Sequence, residues 1–263
     1  MSSDSIIYLC INLPQAVERR RDVADQAARL GLDVHFVPAI SGKELPPHVP
    51  DYDRAERRKS YHYDLTPNEI ACALSHKKAL RAFLDSSAEY AVIMEDDVHL
   101  SPNIKEGLHE LTHHVHGWEA AKLYIAEDDK LTRLGGETPA GVGVRTVFPR
   151  KILWAAIAWC YTRTAAQKLL AGMRTFHLAA DQQIGNILLQ QGIPTIGITP
   201  NLITTYNPNS ENSYIGPRGE AHAGGKRSLL QYLRYRLSVM SISRAKKRMI
   251  RLMQQRLRRV EAH

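Results

Sequence analysis

Short apolar runs and helically spaced stretches follow one another along the first part of the chain. Residues 6–13 form a near-continuous apolar run, which is typical of a strand covered on both faces. Helical spacing follows from Glu18 to Leu30, and a second apolar run covers residues 34–37. This strand–helix–strand order predicts a parallel sheet, whose ligands are expected beyond the carboxyl ends of the strands.

The next helix has a well-marked start. Thr66 is expected to be the N-cap, Pro67 to occupy the first helical position and Glu69 to complete a capping box. Apolar positions extend this helix to about Leu84. Residues 41–64, which precede it, show little periodicity and contain several prolines, so they predict a long mobile loop that could act as a lid.

A third buried strand, at residues 90–94, runs directly into Glu95, Asp96 and Asp97. Three adjacent carboxylates repel one another, and leaving charge unpaired at a buried strand is costly. A divalent cation at the point where the strand leaves the sheet would resolve this repulsion. Oxygen ligands suit Mg²⁺ or Mn²⁺, usually together with substrate phosphates. A solvated acidic turn is the alternative.

Polar residues also mark the end of the first strand. Asn12 and Leu13 lie at the predicted mouth of the sheet, and Arg19 and Arg20 lie on the opening turns of the next helix. Basic side chains and free backbone N–H groups in this position could hold phosphate. A solvated helix face explains the same arginines.

The second half of the chain offers further carboxylates. Residues 121–125 predict a strand followed by acids that include Asp128, which could serve the same site or form a simple turn. Residues 154–161 predict another buried strand. Asp181 precedes a predicted helix at residues 182–191, where the helix dipole favours a carboxylate, so capping alone explains it.

The formal net charge of +8 hides a strong asymmetry. Residues 226–263 contain 12 Lys and Arg and one acid, which leaves 23 bases and 26 acids in residues 1–225. The sequence therefore predicts a mildly acidic globular domain, residues 1–225, and a basic helical tail, residues 226–263.

The tail is predicted to contain two helical stretches, and the second is amphipathic. Its apolar face contains Met249, Ile250, Met253, Leu257 and Val260. A basic helix of this kind is expected on the surface of an anionic membrane. Binding to nucleic acid and packing of the apolar face on the body of the protein are the alternatives.

The cysteines suggest a reducing compartment. Cys10, Cys72 and Cys160 are odd in number, widely spaced and embedded in apolar runs, which argues against both a disulfide framework and a zinc site. The N-terminus lacks the basic and apolar regions of a signal peptide, and no apolar run is long enough to span a bilayer. A cytoplasmic protein is expected.

Three blocks together resemble glycosyltransferase family 25, the lipooligosaccharide and lipopolysaccharide glycosyltransferases. They are residues 10–13 with the two arginines that follow, residues 65–76, which contain the motif Glu-Ile-x-Cys-x-x-Ser-His, and residues 92–98. A looser likeness continues to about residue 215. Ala71 and residues 155–158 depart from the usual family pattern, which leaves the choice of sugar and the acceptor contacts open.

The resemblance implies a GT-A-like α/β fold, with a mainly parallel mixed sheet flanked by helices. It implies a UDP-sugar donor, with galactose as the expected sugar, a lipooligosaccharide, lipopolysaccharide or similar glycan acceptor, and a divalent metal, Mn²⁺ or Mg²⁺. Transfer is expected to invert the anomeric centre, which requires a carboxylate to deprotonate the acceptor hydroxyl.

The resemblance also suggests roles for the polar residues. Asp97 and Glu95 would hold the metal, and Asp96 would contact the ribose or order the loop. Asp181 is the first candidate for the general base and Asp128 the second. The remaining residues expected near the nucleotide are Asn12, Leu13, Arg19, Arg20, Glu69, Ser75 and His76.

Two other classes of protein remain compatible with the sequence. One is a non-catalytic module that binds a nucleotide sugar or a glycan. The other is a protein that binds nucleic acid through the basic tail, although no nucleic-acid partner is expected. For the enzyme, the tail suggests a peripheral position on the cytoplasmic face of the inner membrane.

Overall fold

The computed structural model describes residues 6–137, 142–206 and 228–261, without the side chains of residues 136, 137 and 259–261. Ten strands lie within these ranges. They are β1 (Ile6–Asn12), β2 (Val34–Pro38), β3 (Tyr90–Glu95), β4 (Val98–Leu100), β5 (Ala120–Lys122), β6 (Leu131–Glu137), β7 (Arg145–Pro149), β8 (Ala158–Thr162), β9 (Thr195–Thr199) and β10 (Ile203–Thr205). Eight of them form one sheet, in the order β2-β1-β3-β8-β5-β9-β7-β6, and β4 pairs with β10.

Helices flank this sheet, and the described residues include seven α-helices and one short 3-10 helix at Gly42–Glu44. The α-helices are α1 (Val17–Leu30), α2 (Arg54–Ser60), α3 (Pro67–Asp85), α4 (Ile104–His114), α5 (Arg163–Gly172), α6 (Ala180–Gln190) and α7 (Leu229–Glu261). The predicted capping box at the start of α3 is confirmed, because Thr66 accepts from the Glu69 amide and Glu69 accepts from the Thr66 amide.

The sheet is mixed, as predicted, but it is not mainly parallel. Among the described strands, three neighbouring pairs are parallel (β1 with β2, β1 with β3, β5 with β9) and four are antiparallel. The difference has a clear origin. β8 runs antiparallel between β3 and β5, and the β6–β7 hairpin adds two further antiparallel contacts at the edge.

β3 lies at the centre of the hydrophobic core. Residues 91–94 are each at most 2% exposed, and they belong to the main cluster of buried apolar residues. The strand therefore ends abruptly at its acidic triplet. Its carboxyl end meets those of β1 and β2 at one edge, because these three strands are parallel.

The prediction that residues 41–64 lack regular structure was wrong. This segment contains the 3-10 helix and α2. α2 is rich in charged residues, and Asp53 caps its start by accepting a hydrogen bond from the Glu56 amide. A role of the segment as a lid stays a prediction.

The tail is one helix, α7, rather than two stretches. Met249, Met253 and Leu257 are at most 7% exposed and belong to the main core cluster, so this part of the apolar face packs on the body. The side chain of Val260 and the predicted domain boundary at residue 226 lie outside the described residues. Within the described part of the chain, no helix combines the length and apolar character that crossing a membrane requires.

Candidate functional site

A cavity of about 300 Å³ opens at the edge where β1, β2 and β3 end. The end of β1 with the start of α1, the loop after β2, one face of α3 and the acidic triplet line it. The structure thus brings together seven of the residues predicted from the sequence. These residues are Leu13, Arg19, Ser75, His76, Glu95, Asp96 and Asp97.

Asp96 is bonded to two protein side chains. Its Oδ2 accepts a hydrogen bond from Nδ2 of Asn12 at 2.8 Å, and its Oδ1 accepts one from Arg19 at 3.0 Å. Burial acts against the charge on Arg19, but the hydrogen bond and the negative charge of Asp96 outweigh it and raise the pKa of Arg19. These contacts fix the turn after β3 to the start of α1.

The backbone of Asp97 is bonded to β10. Its carbonyl oxygen accepts a hydrogen bond from Oγ1 of Thr205 at 2.8 Å, on the β10 strand that pairs with β4. The residue is 8% exposed and lines the cavity. Burial first, and then the charges of Asp96 and Asp97, raise the pKa of the neighbouring Cys10 thiol.

α3 supplies the opposite wall of the cavity. Nε2 of His76 lies 3.4 Å from Oε1 of Glu95, and both residues line the cavity. Ser75 donates to the carbonyl of Ala71 at 2.7 Å and accepts from the amide of Ile40 at 2.9 Å, so it ties the loop after β2 to α3.

Close packing at Gly42 holds this loop against the start of α3. A Cβ atom built on Gly42 would lie 2.1 Å from Oδ1 of Asn68 and 2.8 Å from the backbone of Pro67. Only glycine therefore allows the loop to approach the helix so closely, and the approach shapes one side of the cavity.

Arg20 and Glu69, both predicted to lie near the nucleotide, are not among the residues that line the cavity. The guanidinium of Arg20 lies over the ring of Phe36, 4.3 Å from its centroid. Glu69 is 3% exposed and accepts from the Thr66 amide, so the capping function accounts for it. Their roles at the nucleotide stay predictions.

The two candidate bases also lie outside the cavity lining. Oδ2 of Asp181 accepts from the Ala155 amide at 3.2 Å, and Oδ1 accepts from the Gln182 amide. Asp128 is exposed and paired with Lys151 at 2.5 Å. The hydrogen bond from Lys151 lowers the pKa of Asp128, which makes this carboxylate a weaker base.

The sequence interpretation missed Cys72 and Lys122. Cys72 lines the cavity one helical turn before His76. The i, i+4 spacing of the two residues in the sequence could have indicated that they share a helix face. Lys122 is a buried lysine at the end of β5, and it donates to the carbonyl of Trp154. Nothing in the residues around Lys122 indicated that this lysine would be buried.

The comparison with protein families is consistent with this arrangement. Residues 5–184 match the sequence model described as glycosyltransferase family 25 (LPS biosynthesis protein). The match covers more than half of the chain and includes all the residues that line the cavity. The chain therefore belongs to glycosyltransferase family 25.

Individual relatives are more distant. A glycosyltransferase 25 family member from Aedes aegypti is 28% identical over 149 residues, which cover 51% of this chain and 24% of the relative. A protein described as a glycosyltransferase from Haemophilus influenzae is 29% identical over 100 residues, 36% of this chain and 34% of the relative. The chain thus spans about a third or less of these relatives' length.

A solved structure described as a nucleotide-diphospho-sugar transferase from Desulfovibrio desulfuricans is similar at 15% identity and a TM-score of 0.33. The alignment covers 93% of this chain and 99% of that one.

Proposed function

We propose that this protein is a glycosyltransferase with a GT-A-like fold that transfers a sugar from a nucleoside-diphosphate donor to a glycan acceptor. The observation that carries the proposal is the position of Glu95 and Asp97. Both carboxylates line a cavity at the carboxyl edge of the parallel strands, where ligands of such sheets bind. Asp96, between them in the sequence, is paired with Arg19.

The donor set of this edge fits a divalent metal, Mn²⁺ or Mg²⁺. Glu95 and Asp97 offer hard oxygen ligands, and the donor diphosphate would supply the others. When bound, the cation stabilises the charge that develops on the leaving nucleoside diphosphate. Asp96 holds the turn in place and is available to the ribose through its position in the cavity wall.

The other cavity residues would bind the nucleotide. Leu13, Ser75 and His76 line the wall between β1 and α3, and Arg19 sits beside the acidic turn. Asp181 remains our proposed general base for an inverting transfer, although two backbone amides already engage its carboxylate. UDP-galactose is the proposed donor, and the proposed acceptor is a lipooligosaccharide or lipopolysaccharide, since the family description names LPS biosynthesis.

Donor binding tests the proposal. We expect UDP-galactose with Mn²⁺ to raise the midpoint of thermal unfolding by about 5–10 °C at a hundredfold excess over its Kd, because a ligand that binds only the folded state adds about 2.7 kcal/mol. A panel of nucleotide sugars, each with and without Mn²⁺, measures this shift. The proposal would be refuted if no nucleotide sugar stabilised the protein or was hydrolysed.

A second part of the proposal concerns the partner of α7. The first half of this helix exposes large apolar side chains, and its described side chains include no acidic residue. The exposed large apolar residues are Leu229, Leu230, Tyr232, Leu233, Leu237, Val239 and Met240. Five of them form one stripe beside Arg234 and Arg236, which matches an anionic lipid surface. These five are Leu229, Leu230, Leu233, Leu237 and Met240. The lipid-facing segment we propose is therefore residues 229–240, at the cytoplasmic face of the inner membrane.

Vesicle binding checks this partner. The pair of substitutions Leu233→Ser and Leu237→Ser is expected to lower partitioning onto anionic phospholipid vesicles about tenfold or more, because each leucine loses apolar burial. Sedimentation with vesicles measures the bound fraction, and Leu131→Ser is the matched control because Leu131 is an exposed leucine on β6. Equal sedimentation of the double variant, or binding to RNA or DNA that weakens steeply with salt, would contradict the membrane assignment.

A further inference from the structure

A second set of metal-ligand atoms lies in the same cavity. Cys72 and His76 are one turn apart on α3 and share a helix face, and Glu95 ends β3 opposite them. Among the described residues, this is the one set of three or more His, Cys, Asp and Glu side chains whose ligand atoms all lie within 4.8 Å of one another. The three side chains come from two rigid elements.

The distances suit a tetrahedral ion. Zinc–ligand bonds of about 2.0–2.3 Å put neighbouring ligand atoms of a tetrahedral site about 3.3–3.8 Å apart. Nε2 of His76 and Oε1 of Glu95 already lie at 3.4 Å. The sulfur of Cys72 begins within 4.8 Å of both atoms, so a shift of at most about 1.5 Å brings it to the same spacing.

The ligand types favour a different metal from the one proposed for sugar transfer. Mg²⁺ and Mn²⁺ prefer oxygen ligands, whereas a thiolate and an imidazole favour Zn²⁺ and related transition metals. Three protein ligands with a fourth position left open are typical of accessible zinc sites. The Glu95 side chain is 30% exposed and that of His76 only 4%, so the open position faces the cavity.

We propose that Cys72, His76 and Glu95 form a binding site for Zn²⁺ or a similar transition-metal ion in the wall of the cavity. The sequence alone argued against a zinc site, because it offers no pair of closely spaced cysteines. Glu95 belongs both to this site and to the proposed magnesium or manganese site. Zn²⁺ therefore antagonises binding of the metal–nucleotide-sugar complex, a consequence that rests on the proposed function.

Cobalt provides a direct readout of the site. Co²⁺ added to the metal-free, reduced protein is expected to give one equivalent of bound ion with a thiolate-to-cobalt charge-transfer absorption, which Zn²⁺ then displaces. Cys72→Ser is expected to abolish this absorption and to raise the Kd for Zn²⁺ at least about tenfold, since even outer-shell changes cost 10–100-fold. Asp97→Asn is the matched control, and it is expected to retain the absorption.

Two results would overturn the site. One is a folded wild-type protein without the absorption, and the other is an absorption that persists in Cys72→Ser. If Cys72→Ser does not fold, alkylation of the wild-type protein replaces it. Zn²⁺ is then expected to slow the alkylation of Cys72 at least about tenfold, because a zinc-bound thiolate is shielded, and the buried Cys10 and Cys160 are internal controls. Unchanged alkylation of Cys72 would refute the site.

A competition experiment separates this inference from the proposed function. Zn²⁺ is expected to weaken the thermal stabilisation by UDP-galactose with Mg²⁺ in the wild-type protein but not in Cys72→Ser. If no nucleotide sugar binds while the cobalt absorption is present, the proposed function fails and the metal site stands. If the donor binds and the absorption is absent, the metal site fails and the proposed function stands.

Discussion

Asp97→Asn is expected to lower the turnover number for sugar transfer by about 10²–10³-fold, which is the usual cost of removing one preorganised charge contact from an active site. The amide keeps the shape of the carboxylate but not its charge, so the proposed metal would lose one of its two protein carboxylate ligands. The fold should survive, because Thr205 holds Asp97 through the backbone carbonyl, which the substitution leaves unchanged.

Steady-state transfer and donor hydrolysis at several Mn²⁺ concentrations measure this effect, and thermal unfolding checks the fold. Asp33→Asn is the matched control because it removes the same charge from a side chain that is 90% exposed and remote from the cavity lining. Full turnover of Asp97→Asn with an unchanged dependence on Mn²⁺ would show that Asp97 does not hold the metal.

Much of the site could be predicted because its signals are local. Four consecutive residues are enough to identify the capping box of α3. The change from apolar residues to Glu95, Asp96 and Asp97 indicates the end of β3. The parallel arrangement of β1 and β3 then brings the acidic triplet to the same edge as Leu13 and Arg19. Strand order along the chain was enough to place these residues together.

What could not be predicted depends on contacts between distant segments. Periodicity identifies β8 as a strand, but it contains no information on its antiparallel position beside β3, where the carbonyl of Ile157 accepts from the Glu95 amide. The approach of Cys72 to Glu95 likewise requires α3 to pack over β3. The sequence predicted the apolar face of α7. It could not predict that Met249 and Met253 are buried, because that depends on the surface of the folded body against which they pack.

Lys122 provides the second large expected effect, which concerns stability. It is 3% exposed at the end of β5, it donates to the Trp154 carbonyl, and its ammonium lies 5.4 Å from the centroid of the Trp159 ring. Burial lowers the pKa of Lys122 from the ordinary 10.5 to about 8, although the charge of Asp181 acts in the opposite direction. Holding the charged form in the folded state therefore costs about 3 kcal/mol at pH 7.

The sign of the pH dependence follows from linkage. Between about pH 8 and pH 10.5 the unfolded protein keeps the proton on Lys122 and the folded protein does not, so this residue makes the folded state more stable as the pH rises. Below pH 8 both states are protonated and the cost is fully present. Burial also raises the pKa of Tyr8 from the ordinary 10.0 to about 12, so this residue lowers the stability as the pH rises from about 10 to 12.

Comparison with Lys122→Met separates these contributions, because the buried acids are the same in both proteins. The free energy of unfolding of the wild type, minus that of Lys122→Met, is expected to increase by about 2–3 kcal/mol between pH 7 and pH 10. Loss of the hydrogen bond to Trp154 adds an offset that does not depend on this titration. Urea unfolding at both pH values measures the difference. An equal pH dependence in the two proteins would mean that Lys122 keeps an ordinary pKa. Water would then reach its ammonium group at the end of β5.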